Sequence, residues 1–145
     1  MSAGTCTCGE LRKAARAITL LYDNAFKSSG LLSTQFNVLQ SIHNIDSIRI
    51  SDLANKLGMD RTTLTRNLSV LERQGFIDIS QGNDHRTRIV SATHKGRNAV
   101  GKTILLWNEI QCKVKQKMGE SSWSELMQNL DQLLKVTDQL TTHNN

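Results

Sequence analysis

Thr62, Arg66, Ser69 and Arg73 recur at a spacing that gathers them on one side of a helix. At helical pitch they fall within about 60° of one another, with Thr65 at the edge of the arc, and Leu64, Leu68 and Leu71 fill a similar arc roughly opposite. One face is therefore apolar, and the other carries short hydroxyls and arginine. That pairing suits the edges of base pairs. Arginine forks onto guanine, threonine takes a base edge or a thymine methyl, and small side chains let the helix come close. Arg61, Thr62, Thr63, Thr65, Arg66 and Asn67 crowd the N-terminal half, the part that ordinarily enters a major groove first. Taken alone, the same helix also fits an amphipathic element with a solvated polar face.

A second basic group follows. Gln81-Gly82-Asn83-Asp84 has turn chemistry between two alternating runs, Phe76–Ser80 and Thr87–Ser91, which read as the strands of a hairpin. His85, Arg86 and Arg88 lie at or beside its tip, and arginine on a projecting hairpin suits the negative potential of a narrow minor groove. Asp84 is the wrong sign for such a contact. Its expected role is to brace an arginine of the wing or of the neighbouring helix.

These residues need a frame. Leu11, Ala14, Ala15, Ile18, Leu21, Tyr22 and Ala25 mark a first helix ending near Gly30. Phe36, Leu39, Ile42 and Ile45 mark a second, with Ser33 as its expected cap. Ile48-Arg49-Ile50 reads as a short extended piece. Ser51 is the expected cap of a third helix, Asp52–Leu57, stopped by Gly58, and Asp60 that of the fourth, 61–74, stopped by Gly75. A long helix is expected from Thr93 to about Met118. Gly119 breaks it, and Ser122 with Glu125 suggests a capping box for a last helix. The order is that of a mainly α (α+β) winged helix-turn-helix with a two-stranded wing and flanking helices.

The bulk composition agrees. The 145 residues include no proline, which fits long unbroken helices, and the length suits one domain. Apolar runs are too short for a membrane span or a signal-peptide core, so a soluble, cytoplasmic protein is expected, with no membrane partner. The formal net charge is +5. It is uneven: residues 51–102 carry nine basic and five acidic groups, whereas residues 103–145 carry four basic and five acidic. A polyanion-binding middle flanked by scaffold would look like this, and so would a solvated basic face. There is no Gly-rich phosphate loop, HExxH, nucleophile elbow or spaced carboxylate pair, so neither an enzyme nor a cofactor is expected.

The middle of the chain resembles the MarR family of bacterial transcription regulators. Gly30-Leu31 through Gln35-Phe36 is similar to that family's GL…QF lead-in to its second helix. Leu53-Ala54 with 57–66 (LGMDRTTLTR) is similar to its helix-turn-helix. Asp84-His85-Arg86-Thr87-Arg88, then Thr93-His94-Lys95-Gly96, is similar to its DxR wing and following LT..G, with Ala92 where leucine is usual. The resemblance implies a homodimer on a pseudo-palindromic double-stranded DNA operator, acting mostly as a repressor released by an effector. Residues 31–92 would form the DNA-binding region, and 1–30 with 93–145 the helical dimerisation region. The competing reading is a winged-helix dimerisation or protein-interaction module without specific DNA binding.

Three effectors are compatible with the sequence. The resemblance implies a small phenolic ligand in a pocket, for which Tyr22, His43 and Trp107 are candidates, although each also suits a core position. The second is thiol oxidation. Thr7-Cys8-Gly9-Glu10 fits a capping box that would make Cys8 the first residue of helix one, with Arg12 a turn along, and a helix N-terminus favours a thiolate. Cys112 lies about 140° from the main stripe of its helix, so a disulfide from Cys6 or Cys8 to the Cys112 of a second subunit is conceivable. The related OhrR group uses an N-terminal reactive cysteine in this general way, although this chain has only Tyr22 where that group has a tyrosine pair. The third is zinc or copper(I) on Cys6-x-Cys8 with Cys112 or a histidine. Inert free thiols are the plain alternative.

Overall fold

Apolar side chains at helical spacing, uninterrupted by proline, produce six α-helices in a computed structural model that describes residues 4–142. The order is α1 (Thr7–Ala25), a 3-10 turn (Lys27–Ser29), α2 (Ser33–His43), β1 (Ser47–Arg49), α3 (Ile50–Leu57), α4 (Arg61–Arg73), β2 (Ile77–Gln81), β3 (Arg88–Ala92), α5 (His94–Met118) and α6 (Glu120–Thr142). One compact unit runs to Trp107, and a second begins at Asn108, inside α5.

In the first unit the strands form an antiparallel sheet in the order β1-β3-β2, with Ile48 opposite Val90 and Ile79 opposite the same residue on the other side. The extended piece before α3 thus adds a third strand to the expected two-stranded wing. Phe36, Val38, Leu39 and Ile42 of α2, Leu53 of α3, Leu64, Leu68 and Leu71 of α4, and Ile77 and Val90 of the sheet are all buried. Phe26, just past α1, joins them edge-on to Phe36 at 5.2 Å. This core fixes the roll of α4 about its axis, because its three leucines have only one apolar surface to meet.

Four helix starts differ from expectation, each for a visible reason. In α1 the capping position belongs to Cys6, whose carbonyl accepts the Glu10 N–H at 3.0 Å, and no side chain caps it. Thr7 is already helical, so the Thr7/Glu10 capping box does not form and Cys8 is the second helical residue. Ser33 likewise lies inside α2. Its N–H is taken by Asp23 of α1 at 2.7 Å, while Gln35 Oε1 accepts the Leu32 N–H at 3.0 Å. α3 begins at Ile50, directly after Arg49 completes its pairing with Ile89, so Ser51 is not a cap. In the second unit α6 begins at Glu120, ahead of Ser122. Gly119 adopts φ 85°, which lets the helix restart after one residue, and its carbonyl accepts the Trp123 N–H at 3.0 Å. Lys115 closes that corner, with its ammonium 4.0 Å from the centre of the Trp123 ring and 3.6 Å from Glu120.

Candidate nucleic-acid interface

The turn between α3 and α4 is short, residues 58–60. Met59 N–H donates to the Ala54 carbonyl at 3.0 Å, and Asp60 then starts α4 by accepting both the Thr63 N–H (2.8 Å) and the Thr63 hydroxyl (2.6 Å). Those two bonds hold the Asp60 carboxyl below its ordinary pKa, the Thr63 hydroxyl being the larger cause. With Leu64, Leu68 and Leu71 buried, the opposite side of α4 is open. Arg61, Thr62, Thr63, Thr65, Arg66, Ser69 and Arg73 are exposed, and Asn67 is half-buried.

These polar side chains are not equally available. The Thr63 hydroxyl is committed to Asp60. Thr65 donates its hydroxyl to the Arg61 carbonyl at 2.7 Å, and Asn67 Nδ2 donates to the Thr63 carbonyl at 3.0 Å. Thr62, Arg66, Ser69 and Arg73 make no such bond among the described residues. The arc first seen in the spacing is thus also the arc with free donors.

The wing is held at its tip by four bonds. Gly82 N–H donates to the Thr87 carbonyl at 2.8 Å, Thr87 N–H to the Asp84 carbonyl at 2.8 Å, and Gln81 Nε2 to the His85 carbonyl at 3.0 Å. The fourth is Arg86 N–H to Asp84 Oδ1 at 3.1 Å. Asp84 therefore braces the main chain at Arg86, and among the described residues it makes no ion pair with a guanidinium. His85, Arg86 and Arg88 are exposed. None of Arg61, Arg66, Arg73, Arg86 and Arg88 is paired with a carboxylate among the described residues. Five unneutralised guanidiniums on one reading helix and one hairpin are suited to hold phosphates and base edges.

The remaining candidates are dispersed. Tyr22 is half-buried on α1, edge-on to Phe26 at 5.9 Å, and burial raises its phenol pKa. His43 ends α2 with Nδ1 buried and without a hydrogen-bond partner. Trp107 lies half-buried on α5. Cys6, Cys8 and Cys112 are free and exposed. Among the described residues no three His, Cys, Asp or Glu side chains are grouped to hold a metal, so the zinc or copper reading gains no support. No described helix is long and apolar enough to cross a membrane.

One structural feature escapes a reading of local sequence. Thr93, the expected start of the long helix and the first residue of the T-x-x-G stretch, ties that helix to the end of α4. Its hydroxyl donates to the Gly75 carbonyl at 2.6 Å and accepts the Gly96 N–H at 3.0 Å, and its N–H donates to the Phe76 carbonyl at 3.0 Å. The T-x-x-G spacing was the available signal for the cap, but its partners are some eighteen residues upstream.

The model of the MarR family matches residues 31–87, the span from just before α2 to the turn of the wing, ending ahead of β3. Among solved structures, the transcriptional regulator MosR of M. tuberculosis, in complex with DNA, is 36% identical, with 92% of this chain and 97% of that chain covered and a TM-score of 0.85. Among curated proteins, the HTH-type transcriptional regulator YwoH of Bacillus subtilis is 27% identical over 84 residues, 58% of this chain. SarZ of Staphylococcus haemolyticus, another HTH-type transcriptional regulator, is 28% identical over 92 residues, 63% of this chain. The matches span 61% and 63% of those two relatives' own lengths. With the helix order, the three-stranded sheet and near-complete coverage of a regulator above 30% identity, the chain belongs to the MarR family of winged helix-turn-helix transcriptional regulators.

Proposed function

We propose that two copies of this chain bind a pseudo-palindromic operator in double-stranded DNA and control transcription from it, acting as a repressor. The observation that carries the reading is the outward side of α4, where Thr62, Arg66, Ser69 and Arg73 are exposed and unpaired above a buried leucine seat, beside a wing presenting Arg86 and Arg88. A 36%-identical regulator bound to DNA supports it. On this reading residues 31–92 contact DNA, with α4 in the major groove and the wing along the minor groove, while 1–30 and 93–145 pair the copies. Neither α1 nor α6 has a buried residue within the chain, and both leave leucines open. A second copy would cover them and set two reading helices about one DNA turn apart. The protein on this reading is a cytoplasmic binding protein without catalytic activity. A protein-interaction module would not need five unpaired arginines on one helix and one hairpin.

The test is selection of duplexes from a randomised library, followed by anisotropy titration against scrambled DNA at moderate salt. Selected and scrambled duplexes binding equally would sink specific regulation.

Release by thiol oxidation is favoured over a phenolic ligand by one observation: all three cysteines are exposed and open to an oxidant. Peroxide should release the wild-type protein from its selected duplex and reductant should restore binding, whereas the triple Cys6→Ser, Cys8→Ser, Cys112→Ser protein should stay bound. Release of that variant by peroxide would refute the thiol switch.

A further inference from the structure

We propose that Lys95, at the start of α5, is a positioning residue that sets the angle of the DNA-reading helix without touching DNA. The inference rests on the DNA-binding reading above. α4 ends in a left-handed Gly75 (φ 74°), with Gly75 N–H bonded to the Glu72 carbonyl and Phe76 N–H to the Leu71 carbonyl, both at 2.9 Å. This pattern leaves the next carbonyls pointing away from the helix, and left alone they would turn to water.

They do not. Three consecutive carbonyls are taken by donors from one short segment. Gln74 O accepts from Lys95 Nζ at 2.6 Å, Gly75 O from the Thr93 hydroxyl at 2.6 Å, and Phe76 O from Thr93 N–H at 3.0 Å. The Lys95 stem passes Gly75, where a Cβ would meet its Cδ at 3.8 Å, and its ammonium lies 5.0 Å from the centre of the Phe76 ring. A cation at that place also complements the negative end of α4. Leu68 and Leu71, both buried, fix the roll of α4, and a tilt of its last turn would also pull the Gln74 carbonyl away from Lys95. The Lys95 bond, set at the far end from the groove-entering turn, resists that tilt. Because Lys95 belongs to α5, which on the proposed reading helps to pair the copies, a shift of α5 would be passed to α4 through it.

The ammonium is exposed, so a direct phosphate contact is the rival explanation, and the two differ in what salt does. The experiment compares wild type, Lys95→Met and Lys95→Arg on a duplex selected by the wild-type protein and on its scrambled counterpart, across a salt series. Hydrogen exchange of the free proteins is read in parallel. Lys95→Met is expected to bind the selected duplex about ten-fold more weakly, with little change on scrambled DNA and the same salt slope. The amides of Gln74, Gly75 and Phe76 should exchange faster, and Lys95→Arg should restore most of both properties. Equal losses on both duplexes, with the salt slope reduced by about 0.9, would make Lys95 a phosphate contact and overturn the proposal. Unchanged exchange at those amides, or no selective loss, would overturn it too. A wild-type protein that fails to distinguish the duplexes overturns the DNA-binding reading itself, and that result is separable because no variant is involved.

Discussion

The carbonyl oxygen of Phe76 occupies the space that a side chain at Gly96 would fill: an ideal Cβ there would lie 2.0 Å from it. The obstacle is backbone that also accepts the Thr93 N–H, so it cannot move aside without breaking the junction between α4, β2 and α5. Gly96→Ala should therefore destabilise the protein by about 2–4 kcal/mol in chemical denaturation. Gly101, in the same helix, has nothing within 4 Å of its ideal Cβ, and Gly101→Ala should be neutral or stabilising by up to about 1 kcal/mol. Equal effects from both would mean that the close approach is not what Gly96 provides.

Asp60 gives a pH prediction. Its folded-state pKa is depressed by the Thr63 hydroxyl and N–H, so the unfolded chain binds the proton more readily than the folded one. The stabilisation is fully present above the ordinary carboxylate value and fades as pH falls through the lower folded value. Wild type should hence melt a few degrees above Asp60→Ala near neutral pH, and the gap should narrow below about pH 4. A gap that stayed constant down to pH 3 would show that the ionised carboxylate is not what caps α4.

How much of this was legible in the sequence follows from how far apart the partners are. The α4 face could be read because Leu64, Leu68 and Leu71 are opposed to Thr62, Arg66, Ser69 and Arg73 within one helix. The Asp60 cap could be read because its partner is three residues away. The start of α2 could not, since its capping oxygen belongs to Asp23 on another helix. Gly119 was legible as a break, but not the immediate restart of α6 that its left-handed backbone permits. Asp84 was legible as a brace, yet its target, the Arg86 main chain rather than a guanidinium, depends on the turn geometry. At the junction of Gln74, Gly75 and Phe76 with 93–96 only the T-x-x-G spacing could be read and not its partners, because they meet it only once the hairpin has folded back.

Arg66 and Arg86 should fail differently. Arg66 projects from the free arc of α4, so on the proposed reading Arg66→Ala removes a base contact. It should cost about 1–3 kcal/mol on the selected duplex and relax the preference at one position when selection is repeated. Arg86 sits on the wing with its backbone held by Asp84, and Arg86→Ala should weaken binding to all duplexes, lowering the salt slope by about one. Equal, sequence-independent losses for both would contradict the assignment of α4 to base reading.

The apolar side of α6 carries the last prediction. Leu134 and Leu140 remain 69% and 65% exposed within the chain, although the helix has a continuous leucine stripe. Burying a leucine is worth about 1.5–3 kcal/mol, so a second copy that covers both would gain enough from this pair alone to shift dimerisation by orders of magnitude. Light scattering at micromolar concentration should give twice the 16.2 kDa chain mass for wild type. Leu134→Glu with Leu140→Glu should move it towards the single-chain value, and should weaken binding to a two-half-site duplex far more than to one half-site, because the half-sites are then no longer held by one particle. A wild-type mass of one chain would remove the dimer from the proposed function. A dimer unaffected by the paired substitution would place the contact on another face, with the open leucines of α1 the next to be tested.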